Sequence, residues 1–291
     1  MSTGLRARNI LQALAGAALA FVLCACTGRP ALNPAATLAQ GSSQRGAQAF
    51  ARGDLAGAER DYNTALRIHE SLGDNAGRAA ALLSLSRIAS QAGRHDEALL
   101  VVEQLLADQT GLMALTPATR ITAYGRAAAL HLAKSNLQQA DKYLAQADAL
   151  CQRVCAEAGV LIVLRARSAL VRQQPADALA LANEALALPA LAAVSPPSRQ
   201  PQASAERANA LRVKAQAQAA LGQTQDASSA ATQALELDQT LGLADRVLPD
   251  LLLLAQLHKT MGASERAQHY ETLARRAQAA SQALRGPAPA N

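Results

Sequence analysis

The apolar positions of this chain follow a helical period that is interrupted and restarted at regular intervals. From Arg52 to Ile68 it reads RGDLAGAERDYNTALRI. Gly53-Asp54 breaks one helix, and Ala58, Tyr62, Ala65 and Leu66 lie on one face of the next. The break recurs at Gly93, Ser135, Gln173, Gly222 and Gly262, with spacings of 40, 42, 38, 49 and 40 residues. Five residues after each break stands an alanine: Ala58, Ala98, Ala140, Ala178, Ala227 and Ala267. Seven residues before it stands another small residue: Gly46, Ser86, Ala128, Ala166, Ala215 and Ala255. Seven beyond the alanine come Ala65, Leu105, Ala147, Ala185, Ala234 and Ala274, small in all but one case. Two helices that cross closely need small side chains where they touch. The pattern therefore predicts six helical hairpins between about Gln40 and Leu284.

Helix ends agree with this register. Gly73 and Gly242 follow Leu72 and Leu241 at equivalent points and suit left-handed caps. Thr116-Pro117 reads as an N-cap with proline at the first helical position, Pro175 opens another helix, and Gly286-Pro287 ends the last, leaving 286–291 as a disordered tail.

A turn glycine followed by small, aromatic and small residues at these offsets resembles the tetratricopeptide repeat, a two-helix unit that stacks into a right-handed superhelical solenoid. The resemblance covers about 41–285 and implies an all-α fold of about six hairpins. Leu82, Tyr124, Ile162, Leu211 and Leu251 stand where a strong repeat has bulkier signatures, and the units exceed the usual length; HEAT or armadillo repeats are the structural alternative. Extra residues of the longest interval fall around Pro189, Pro196, Pro197 and Pro201, a loop that can serve as a pivot over 189–203.

Composition supports a helical reading. Alanine supplies 72 of 291 residues, aromatics are 2% and tryptophan is absent, so little favours sheet. The formal net charge is +6. Scattered arginines and few stacking aromatics argue against nucleic acid as a ligand.

The first residues have another character. Arg6 and Arg8 precede a mostly apolar run to Leu23, and Leu23-Cys24-Ala25-Cys26 follows, the anatomy of an export signal. The run is short for a membrane span. It resembles the lipobox of bacterial lipoproteins, which implies removal of 1–25, lipid attachment at Cys26 and a place on the periplasmic face of the outer membrane. An uncut anchor helix, and cleavage after Ala20, are the other readings. Loss of Arg6 and Arg8 lowers the net charge by two. Residues 26–40, with Pro30 and Pro34, suit an extended tether.

Cys151 and Cys155 remain. They form a disulfide in an oxidising compartment or stay as free thiols; neither spacing nor neighbours fit a redox or zinc site. No catalytic motif is present, and His69, His95, His131, His258 and His269 fall in different repeats, so neither an enzyme, a metal nor a cofactor is expected. The resemblance implies a concave wall made by the first helices, whose usual groove positions here are Phe50, Leu83, Arg87, Leu132, Val163, Arg167, Arg212 and Lys259. Arg87 and Arg167 occupy the same repeat position, suited to holding a partner's carboxylate. The expected function is a lipid-anchored adaptor that binds a peptide or helix of another cell-envelope protein. A small-ligand or glycan-binding lipoprotein is the alternative, disfavoured by the scarcity of aromatic platforms.

Overall fold

The computed structural model describes residues 33–152, 155–193 and 195–285. Among them are thirteen α-helices and no strand. In chain order these are α1 (Pro34–Ala51), α2 (Leu55–Ser71), α3 (Asn75–Gln91), α4 (His95–Ala107), α5 (Gln109–Met113), α6 (Pro117–Ala133) and α7 (Leu137–Cys151). They continue as α8 (Ala158–Val171), α9 (Pro175–Ala187), α10 (Pro201–Ala220), α11 (Thr224–Thr240), α12 (Ala244–Thr260) and α13 (Ser264–Arg285). Six antiparallel hairpins result: α1–α2, α3–α4, α6–α7, α8–α9, α10–α11 and α12–α13. They stack consecutively into a solenoid.

Each hairpin turn is built alike. Gly53, Gly93, Ser135, Gln173, Gly222 and Gly262 all have positive φ, between 56° and 81°. The next residue returns its backbone N–H to a carbonyl five positions back: Asp54 to Ala49, Arg94 to Ala89, Asn136 to His131, Gln174 to Ala169, Gln223 to Gln218 and Ala263 to His258, all at 2.8–2.9 Å. This left-handed closure satisfies carbonyls that the helix end would leave bare. Gly73 and Gly242 cap the second helices of hairpins 1 and 5 in the same way, with φ of 64° and 68°.

The small-residue columns lie where the helices cross. Ala58, Ala98, Ala140, Ala178 and Ala227 are wholly buried, and so are Ser86, Ala128, Ala166 and Ala215 opposite them. At Gly46 a Cβ would come within 2.8 Å of the Tyr62 ring. Larger side chains fill the spaces between hairpins. Leu82, Val102, Leu105, Leu112 and Leu130 form one cluster, Ile121, Leu132, Leu144 and Leu161 the next, and Leu235, Leu251, Leu254 and Leu257 a third. Each such side chain contributes roughly 1.5–3 kcal/mol by leaving water.

Three features differ from expectation. The tether ends early, because α1 already begins at Pro34: Asn33 caps it by accepting from the Ala35 N–H (3.0 Å), and Ala39 is fully buried. Residues 26–32 lie outside the described residues. Second, the short helix α5 inserts between hairpins 2 and 3, capped by Asp108 and holding Leu112 in the core. Third, the proline-rich loop before α10 is fastened down. Leu191 is buried between α8 and α10, Arg207 Nη1 donates to the Leu191 carbonyl (2.9 Å), and Ser204 Oγ donates to that of Pro197 (3.0 Å). A pivot there would have to break these contacts. Among the described residues no helix is long and apolar enough to cross a membrane.

Candidate partner-binding groove

The first helices of neighbouring hairpins touch one another, α3 with α6, α6 with α8, α8 with α10 and α10 with α12, and so form the inner wall of the stack. The predicted groove residues divide along it. Arg87 on α3 lies over the Phe50 ring of α1, 4.5 Å from its centroid, a cation–π contact between adjacent hairpins. Leu83 is half-buried and packs on the core. Leu132 is a correction: at 3% exposure it packs into the interior with Ala140 and Leu144, because α6 turns this face toward α7. Val163 is also largely buried, yet it borders a cavity. Lys259 is exposed near the end of α12.

That cavity, of about 280 Å³, lies between α8 and α10. Val160, Val163, Leu164 and Val213 form its apolar side, and Arg167, Glu206, Asn209 and Gln216 its polar side. Arg167 makes no hydrogen bond or ion pair among the described residues. Burial, and then the nearby Arg212, hold its guanidinium below the usual arginine value. Burial pushes the Glu206 carboxyl up.

Arg212 corrects the expectation of a free groove cation. It donates to Asp250 from Nε (2.5 Å) and Nη2 (3.0 Å), and it also pairs with Asp238. Both carboxylates are completely buried. Burial would lower Arg212, but the contacts with Asp250 and Asp238 outweigh it and raise the value. Burial raises Asp238 to about 6 against the opposing pull of Arg212 and Arg246. This arrangement joins α10, α11 and α12, and the groove positions alone did not reveal it. Its trace in the sequence is a lone acid, Asp250, inside the apolar run VLPDLLLLA.

A larger cavity, about 740 Å³, opens at the junction of α7 and α8 beside Cys151, which is bonded to Cys155. Its cation, Arg165, is already paired with Asp148. No group of residues suited to holding a metal ion occurs among the described residues.

Residues 37–109, covering the first two hairpins, match the family described as tetratricopeptide repeat. The fold is a tetratricopeptide-repeat solenoid. Solved structures with the same architecture span most of the chain at low identity. A signal-transduction ATPase with a tetratricopeptide-repeat sensor from Pyrococcus horikoshii superposes with a TM-score of 0.55 at 15% identity, over 79% of this chain and 33% of that one. The solenoid thus spans about a third of that ATPase. A Rap protein complexed with Competence and Sporulation Factor gives a TM-score of 0.56 at 12% identity, over 84% of this chain and 75% of that one. BtubC (BKLC) from P. vanneervenii gives 0.51 at 15% identity, over 89% and 95%. Curated proteins give no sequence match. Tetratricopeptide repeats generally mediate protein–protein interaction and scaffolding.

Proposed function

We propose that this protein is a non-enzymatic adaptor, anchored by lipid at Cys26 on the periplasmic face of the outer membrane, whose inner wall binds a peptide or helix of another cell-envelope protein. The observation that carries the binding reading is Arg167, a desolvated cation without an ion-pair partner, on the polar side of a cavity between α8 and α10 whose other side is apolar. A carboxylate arriving there supplies the missing charge, while Val160, Val163 and Val213 hold its aliphatic stem. At about 280 Å³ the cavity lies near the lower edge of small-molecule sites, which suits one side chain of a longer ligand better than a whole glycan. The anchoring reading is supported by Leu23-Cys24-Ala25-Cys26 after an apolar run.

Crosslinking in intact envelopes followed by pull-down tests the adaptor role. Wild type should recover a reproducible envelope protein, and Arg167→Glu should recover at least about tenfold less of it with helicity unchanged. Equal recovery by the variant would remove the groove from the proposal. Cys26→Ser should release the chain from the membrane fraction; retention would refute lipid anchoring.

A further inference from the structure

Two histidines hold the same place in their hairpins, yet their surroundings differ. His131 of α6 and His258 of α12 are both buried, and each stacks on the tyrosine twelve residues later: Tyr143 at 5.5 Å and Tyr270 at 5.3 Å between ring centroids. The preceding hairpin decides what each ring meets. At His131 it supplies Glu103 of α4, whose Oε1 stands 3.4 Å from Nε2. At His258 the equivalent residue of α11 is Thr232, whose hydroxyl donates to the Ser228 carbonyl (2.9 Å). His258 makes no hydrogen bond or ion pair among the described residues. Beside it a cavity of about 430 Å³ opens between α11 and α13, the second helices of hairpins 5 and 6, and so away from the inner wall.

The cavity collects donors. Arg266 and His269 line it from the start of α13, so His269 belongs to the same hairpin as His258, and Ser228 lines it from α11. Arg266 stands where hairpin 3 has Gln139, and it forms no ion pair among the described residues. Burial, and then Arg266, hold the His258 imidazole below its ordinary value, so the ring is uncharged at neutral pH. Its Nδ1 is enclosed without a partner, which leaves the proton on Nε2, free to be donated into the cavity that the ring lines. A guanidinium with neutral donors around it suits an oxyanion. Glu265 lines the same cavity and selects among oxyanions. It repels a fully ionised group and accepts a hydrogen bond from one that keeps a proton. A phosphate monoester can keep one, because its second proton leaves only at about pH 6 in water, whereas a sulfate ester has none to keep.

We propose that this outer cavity is a binding site for a phosphate monoester. His258, Arg266 and His269 donate to its oxygens, in the place that Glu103 fills in hairpin 3, and its remaining P–OH donates to Glu265. The site is separate from the inner wall and does not depend on the partner-binding reading.

The test follows the histidine ring signals of the full chain by NMR as glucose 6-phosphate is added. His258 and His269 should shift along one saturating curve while His131, the same ring beside its own acid, stays still. Arg266→Gln should weaken binding by about tenfold or more. Arg276→Gln, exposed farther along α13, should change it less than about twofold. Thr232→Glu restores the acid of hairpin 3 and should abolish binding, with thermal melting to show that the fold is kept. Glucose 6-sulfate should bind at least about tenfold more weakly than the phosphate. Dihexanoyl phosphatidate, a soluble lipid phosphate, distinguishes the sources: saturable binding of either phosphate supports the site, and the tighter of the two shows whether a lipid headgroup or a sugar phosphate fits it. No saturable shift with either compound overturns the proposal. So does an equal shift at His131, an equal loss with Arg276→Gln, equal binding of the sulfate, or binding that a folded Thr232→Glu leaves intact.

Discussion

At the scale of single residues, the strongest constraint is the Asp238–Arg212–Asp250 group. Arg212 sits between two carboxylates that have no contact with water, and Asp238 Oδ1 has no hydrogen-bond partner. Removing the cation leaves two buried acids facing each other, so Arg212→Ala should destabilise the protein by about 3–5 kcal/mol, measured by urea unfolding. Asp238 also imposes a pH dependence. In the folded state Asp238 binds its proton more tightly than in the unfolded chain, since burial raises its value from 3.8 to about 6. Its contribution is therefore full below about 4 and is lost as the pH rises through 6. Asp238→Asn removes that dependence. Relative to wild type, the variant should gain stability between pH 4.5 and pH 7.5, on the order of 2–3 kcal/mol. A difference that is flat with pH, or of the other sign, would mean that Asp238 is ionised throughout. Asp74 is the opposite case: the Gly77 N–H at the start of α3 lowers its value, so its contribution is present at neutral pH and fades in acid.

At the scale of helices and turns, six closures of one geometry use two kinds of residue. Four are glycines, which adopt positive φ without cost from a side chain, while Ser135 and Gln173 are held at 56° and 61°. Ser135→Gly and Gln173→Gly should each stabilise the protein by about 0.5–1 kcal/mol, less than the relief of strain because glycine also loosens the unfolded chain. Thermal unfolding of the two single variants and the double variant would show it, the sites being far enough apart to add. The crossing at Gly46 runs the other way. A Cβ there meets the Tyr62 ring, so Gly46→Val should cost about 1–3 kcal/mol by forcing α1 from α2. These elements were the legible part of the sequence. A small side chain at a crossing and a residue able to turn left-handed are local requirements, and they stand in columns from Gly53 to Gly262. Pro34 misled because proline suits an extended tether and the first turn of a helix equally well; Asn33 before it was the deciding cap. The groove was only half legible. Repeat position says which helix face is inward, but whether Leu132 stays open or Arg212 stays free depends on neighbours such as Asp250, 38 residues away in sequence.

At the scale of the whole molecule, each hairpin contacts chiefly its neighbours, and stability is close to a sum of hairpins and junctions. Exposed ion pairs cross several of these junctions: Arg94 reaches back to Glu59, Lys134 to Asp96 and Arg172 to Asp141. Such pairs contribute roughly 0–1 kcal/mol each, so they set register more than stability. The junction between hairpins 3 and 4 is different, because a covalent bond helps to close it. α7 ends at the buried Cys151, Gln152 turns left-handed at φ 47°, and the bond to Cys155 leads into α8. A crosslink between residues four apart removes little freedom from the unfolded chain, so its loss should cost about 2 kcal/mol or less overall. Its effect should also stay local. In a one-dimensional stack a loosened junction weakens the two hairpins beside it and is felt little at the ends. Replacing both cysteines by serine should therefore speed amide exchange at the end of α7 and the start of α8. Exchange in α1–α4 and α12–α13 should stay as in wild type, and so should capture of the partner by the inner wall. If exchange rises along the entire chain instead, the solenoid unfolds as one cooperative unit and the bond holds far more than the junction it closes.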